Sequence, residues 1–260
     1  WNRYPDREAV ELREAIARFH GVDASMVFAA NGSNEVIQTL LLAYAGAGRT
    51  VATFEPTYQM HAQIARVTGA TVVEGDRGAD FTLEPDEIDR VAREYAPHVV
   101  FLTSPNNPTG LVEPVANVER LLDVAPGLVV VDEAYAQFAG WTALDLLDEQ
   151  RPLVVTRTFS KTWSMAAARL GYLVGPRWLV AELDKVVLPY HLDAVTQLAG
   201  RLALRYTDEM NAQVADVVAE RDRISATLAD LPVEVVPSGA NFVLFRVRSG
   251  RTGVGSLDGH

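Results

Sequence analysis

The chain has 260 residues, 48% of them hydrophobic, and a formal charge of −11 at neutral pH. That length buries one large domain and part of another, and acidic charge spread along the sequence argues against binding a phosphate backbone. There is no cysteine, which removes disulfides and thiolate metal sites. No apolar run suits a bilayer span or a signal peptide, so we expect a cytoplasmic protein with no nucleic-acid and no membrane partner.

Residues 1–25 read as a polar segment running into a helix, and because the chain opens on Trp1 we expect residues upstream. From Met26 to Gly175, short β-branched runs alternate with helix-period segments, the pattern of a mostly parallel sheet between helices. Strands are predicted at 26–30, 50–54, 71–74, 98–103, 128–131, 153–156 and 170–174, with helices at 34–45, 58–68, 85–95, 114–124 and 177–187. The expected fold class is therefore α/β, with a large domain over 26–187. An amphipathic stretch, 193–231, reads as one or two helices, and 233–236 and 242–247 as two strands of a partial, smaller α+β domain over 188–247. The glycine-rich residues 248–260 have linker composition and are expected to be a disordered or artefactual tail.

Five motifs punctuate this pattern: Gly32-Ser33-Asn34, Ser104-Pro-Asn-Asn-Pro-Thr-Gly110, Asp132-Glu-Ala-Tyr135, Thr158-Phe-Ser-Lys161 and Arg169-Leu-Gly171. Lys161 follows a strand and a polar turn, so its amine falls at the carboxyl end of a sheet, where open α/β folds bind ligands. Asp132 ends the apolar run from Leu128 and emerges at the same edge. A lysine able to form a Schiff base, a carboxylate able to keep a pyridinium protonated, and groups able to hold a phosphate are what pyridoxal phosphate requires. Ser33 and Asn34, at a strand-to-helix junction, offer backbone amides to the phosphate. Thr158 and Ser160 add hydroxyls and Arg169 a guanidinium with bidentate geometry. Tyr135 and Asn107 suit the cofactor's phenolic oxygen, and Tyr58 its ring face. The structural alternatives are ordinary ones: an N-cap at Ser33 or Asn34, a capping aspartate at Asp132, a core tyrosine and a turn asparagine. The five histidines have no metal-ligand spacing, so no metal is assigned.

On these motifs the chain resembles the fold-type I pyridoxal-phosphate aminotransferases of class I and II. Among them it is most similar to the histidinol-phosphate aminotransferases, through Asn2-Arg-Tyr-Pro-Asp6, Ala30-Asn-Gly-Ser-Asn-Glu35, Thr156-Arg-Thr-Phe-Ser-Lys161, Leu188-Pro-Tyr-His-Leu192 and Pro237-Ser-Gly-Ala-Asn-Phe242. The resemblance implies amino transfer between L-histidinol phosphate and 2-oxoglutarate in histidine biosynthesis, in a homodimer where Tyr4 reaches the phosphate of the neighbouring subunit. It also implies a substrate contact at Asn241. Relative to the family pattern an N-terminal arm and a C-terminal, arginine-bearing segment are absent, so the chain reads as truncated at both ends. An aromatic or other related amino-acid aminotransferase, a decarboxylase of a phosphorylated amino acid, and a non-catalytic fragment that holds the cofactor are the alternatives.

Overall fold

A computed structural model describes residues 2–248; all of the expected tail beyond Arg248 lies outside the described residues. The large unit contains α1 (Val10–His20), β1 (Val27–Ala30), α2 (Ser33–Tyr44), β2 (Thr50–Glu55), α3 (Met60–Val67), β3 (Thr71–Asp76), α4 (Pro85–Tyr95), β4 (Val99–Thr103), α5 (Val115–Val124), β5 (Leu128–Asp132), β6 (Leu153–Thr158), β7 (Gly171–Val174) and α6 (Arg177–Val186). The strands form one seven-stranded sheet in the order β1-β7-β6-β5-β4-β2-β3. All neighbours from β3 to β6 pair in parallel, and β7 runs antiparallel to both β6 and β1.

Period-two alternation divides the buried strands between two cores. Val99, Phe101, Leu128 and Val130 pack under α2, α3 and α6, while Val100, Leu102, Val129 and Val131 pack under α4 and α5. A third cluster joins Leu12 and Ile16 of α1 to Phe159, Tyr172 and Leu192. Asp6 sets the start of α1, its carboxylate accepting from the Glu8 and Val10 amides, and Gly21 ends it at φ +67°.

Strand β6 runs two residues past its predicted end, because Arg157 and Thr158 pair with Tyr172 and Gly171 of β7. The predicted 193–231 stretch becomes α7 (Ala194–Ala203) and α8 (Thr207–Ala229), separated by a single 3-10 turn. The Asp193 carboxylate caps α7 by accepting from the Val195 and Thr196 amides. Helix α7 packs on α1, so the core of the large unit continues beyond residue 187. Past α8, β8 (Val233–Val235) and β9 (Phe245–Val247) form a separate antiparallel pair. β9 is exposed along its length, and of α8 only Met210 is fully buried.

Candidate active site

At one pole of the site, β1 turns into α2 through Gly32, whose φ of +84° lies in the glycine-favoured region. The Glu35 and Val36 amides fold back on the Gly32 carbonyl at 3.2 and 3.3 Å. The amides of Ser33 and Asn34, in the first turn, have no intrahelical acceptor and point out of a helix start suited to an anion. Neither side chain caps the helix: the Asn34 Oδ1 instead accepts from the Tyr58 hydroxyl at 3.2 Å. The Arg169 guanidinium lies over this turn, and a Cβ built on Gly32 would stand 2.6 Å from its Nη2. Gly171 serves the same pole, since a Cβ there would collide with the Ser33 amide nitrogen. The glycines of two separate motifs thus make room for one guanidinium and one exposed amide. Thr158 Oγ1 and Ser160 Oγ, 2.9 Å apart, stand at the adjacent end of β6.

The other pole is dry. Asp132 is 2% exposed, and its Oδ2 lies 2.8 Å from the Nε2 of a fully buried His61. Its Oδ1 accepts the Ala134 amide at 3.1 Å, so the residue also closes its own turn. The His61 ring stacks on Phe101 at 4.3 Å and meets Tyr58 edge-on at 5.3 Å, and its Nδ1 is buried with no partner. A proton on Nδ1 would be a buried N–H with no acceptor, so the Nε2–H is the one that donates to Asp132 Oδ2. Tyr58 connects the poles: burial and the charge of Asp132 raise its pKa, and Arg169 acts on it in the opposite sense.

Lys161 and Tyr135 open into the cavity bounded by these poles, with the Lys161 Nζ 5.2 Å from the centre of the Tyr135 ring. The cavity measures about 210 Å³ and also receives Asn107. Lys161 is one of only two lysines in the chain. The other, Lys185, sits on α6 and pairs with Glu182 at 2.6 Å. The neighbouring Asn106 is fully buried and builds the loop instead, accepting from Thr57 Oγ1 at 2.7 Å and donating to the Pro56 carbonyl and Thr109 Oγ1.

Every own-chain residue predicted for the cofactor therefore reaches one cavity, joined by Thr103, Ala134 and Ala166. Asn241 does not. The turn closed by Ser238, whose hydroxyl donates to the Phe242 carbonyl and accepts the Ala240 amide, sends the Phe242 ring onto Tyr135 at 5.2 Å and leaves Asn241 beside a groove on α8. Tyr4 is 79% exposed and stacks on Tyr190 at 4.5 Å; neither residue lines this cavity. Sequence reasoning missed His61, which it weighed only as a metal ligand. A histidine three residues after Tyr58, on the face of α3 toward the sheet, was the available signal. Among the described residues no group of three or more His, Asp or Glu is placed to hold a metal ion, and no helix is long and apolar enough to cross a membrane.

The family described as aminotransferase class I and II matches residues 1–252. Over 249 residues the chain is 50% identical to the histidinol-phosphate aminotransferase of Thermobifida fusca (strain YX), covering 94% of this chain and 68% of that protein. It is 49% identical over 252 residues to the histidinol-phosphate aminotransferase of Nocardia farcinica (strain IFM 10152), covering 94% and 66%. The chain thus spans about two thirds of the length of these relatives. The fold is shared with the histidinol-phosphate aminotransferase of Sinorhizobium meliloti, solved with pyridoxal-5'-phosphate, at TM-score 0.87 and 24% identity over 94% of this chain and 67% of that one. A methionine aminotransferase from Escherichia coli has the fold as well, at TM-score 0.84 and 25% identity over 94% and 69%. With a profile match running from end to end of the described residues and half of its positions shared with a full-length relative, the chain belongs to the class I and II aminotransferases.

Proposed function

We propose that this chain carries the pyridoxal-phosphate site of a histidinol-phosphate transaminase, moving an amino group between L-histidinol phosphate and 2-oxoglutarate. The observation that carries the reading is the two-pole cavity: a buried carboxylate at one pole, a guanidinium over open helix amides at the other, and a lysine amine opening between the same walls. These groups fit the cofactor. The pole of Arg169, Thr158, Ser160 and the α2 amides matches a phosphate, and Asp132 matches a protonated ring nitrogen. The names borne by the relatives from Thermobifida fusca and Nocardia farcinica support the substrate.

Pyridoxal phosphate supplies an aldehyde that condenses with amines and a ring that accepts electrons when a bond at the substrate Cα breaks. The chain's own residues do the rest. Lys161 would hold the cofactor covalently, and its free Nζ would move a proton at the substrate Cα. Asp132, oriented by the His61 ring at 2.8 Å, would hold the ring nitrogen. Tyr135 and Asn107 would hydrogen-bond the phenolic oxygen, and Tyr58 would supply an aromatic wall. His61 is a positioning residue, since it acts through Asp132. In this reading Tyr4 serves the phosphate of a second copy, and its exposure and stacking on Tyr190 support that use.

The test is amino transfer followed by absorption. Loaded protein given L-histidinol phosphate is expected to lose its visible band and to regain it with 2-oxoglutarate. A response to aromatic amino acids or methionine, but not to L-histidinol phosphate, would move the specificity within the family.

A further inference from the structure

The reverse face of the strand ends carries a second buried polar cluster. Glu133 directly follows Asp132, Arg157 directly precedes Thr158, and Tyr172 directly follows Gly171. Strand alternation therefore turns these three away from the cavity, toward the cores of Val131, Val155 and Val174. Glu133 Oε2 accepts from Arg157 Nε at 3.0 Å and Nη2 at 2.6 Å. Its Oε1 accepts the Ala143 amide at 2.5 Å and the Thr142 hydroxyl at 3.0 Å, and Arg157 Nη2 also donates to Thr142 Oγ1 at 2.8 Å. The Tyr172 hydroxyl lies 2.8 Å from His20 Nε2 on α1.

The order of donors follows from what each group can do. Burial pushes the Tyr172 phenol up to about 12, with Arg157 acting against the shift. Burial, reinforced by Arg157, pushes His20 down to about 3. Both are neutral at pH 7. Arg157 and Tyr172 stand directly opposite each other across β6 and β7 and a guanidinium can only donate, so a phenol that keeps its oxygen for the cation gives its proton to His20 Nε2. His20 then carries its own proton on Nδ1.

We propose that Glu133, Arg157, Tyr172 and His20 form a positioning network that holds the ends of β5, β6 and β7 in one register, and so fixes Asp132 and Thr158 relative to each other at the cofactor site. The proposal rests on the cofactor reading above. Apolar residues would fill this space at least as stably as a buried ion pair. The forked Glu133–Arg157 contact, however, specifies a single alignment of two strands whose next residues face the cavity.

The experiment measures pyridoxal phosphate dissociation constants and thermal unfolding for the wild type and three variants, together with the nitrogen-15 spectrum of His20. The paired change Glu133→Gln with Arg157→Met removes both charges and avoids stranding one. It is expected to unfold as cooperatively as the wild type yet bind pyridoxal phosphate about tenfold more weakly. Leu12→Ala, in the same core but outside the network, is expected to lower the melting temperature and leave the dissociation constant within about twofold. Tyr172→Phe removes one oxygen and serves if the paired variant does not fold; about threefold weaker binding is expected. Unchanged binding in the folded paired variant or in Tyr172→Phe overturns the network, as does a proton on Nε2 of His20. So does weakening by Leu12→Ala as large as that of the paired variant, because binding would then follow stability alone. A wild type that binds no pyridoxal phosphate sinks the cofactor reading instead, and the His20 spectrum still decides the donor order.

Discussion

The two poles of the cavity hold charge by opposite means. Asp132 sits out of water, its orientation set by a fully buried histidine and its own turn. Arg169 is exposed and left-handed at φ +50°, laid over a helix start that contributes backbone amides and no side-chain cap. Electrostatic interactions strengthen in a dry site and weaken in a wet one. The deep pole is thus suited to tuning a proton, and the open pole to gripping a doubly charged group through many donors, no single one of which is indispensable.

The comparison can be broken at several points. Lys161→Ala, which removes the amine shared by both poles, is expected to lower turnover more than about 10³-fold, while phosphate-anchored binding persists in equilibrium dialysis. Asp132→Asn keeps the shape and the His61 contact but removes the charge; turnover is expected to fall about 10²-fold or more, with the larger share in kcat. At the open pole, Arg169→Met removes one charge-assisted partner among several, and the cofactor dissociation constant is expected to rise about 10- to 100-fold. Gly32→Ala acts there without removing a charge, through a Cβ 2.6 Å from the guanidinium and a φ of +84°. It is expected to weaken cofactor binding in the same titration while leaving the pH dependence of turnover unchanged; an altered pH profile would mean that the poles are not separable.

The smallest effect belongs to the reverse face and reads on stability. His20 titrates near 3 when folded and near 6.5 when unfolded. Between those values the unfolded chain binds the extra proton, so stability falls as pH falls below about 6.5, by up to about 1.4 kcal/mol per pH unit. Urea melts at pH 7 and pH 5 are expected to show a shallower loss for His20→Gln than for the wild type. Equal losses would mean that His20 is not the group responsible.

The parts of this site legible from sequence are those fixed by chain order. A lysine, an aspartate or an asparagine at the end of an apolar strand or within a few residues of it must appear at the sheet's carboxyl edge, and Lys161, Asp132 and Asn107 do. The parts that were not legible depend on partners far apart in sequence. His61 meets Asp132 across 71 positions, and Gly32 needs its missing Cβ because of Arg169, on the far side of β6 in the sequence. Glu133 and Arg157 sit inside two recognised motifs but face the opposite core, a distinction that requires the strand to extend to Thr158. Asn241 lies outside the cavity because the Ser238 turn decides which of two adjacent side chains meets Tyr135.

The chain's two lysines allow a direct test of the claim that Lys161 is the covalent anchor. Protein loaded with pyridoxal phosphate is reduced with borohydride, digested and mapped by mass. One phosphopyridoxyl group is expected on Lys161 and none on Lys185; label on Lys185 alone, or no label at either lysine, would contradict the assignment.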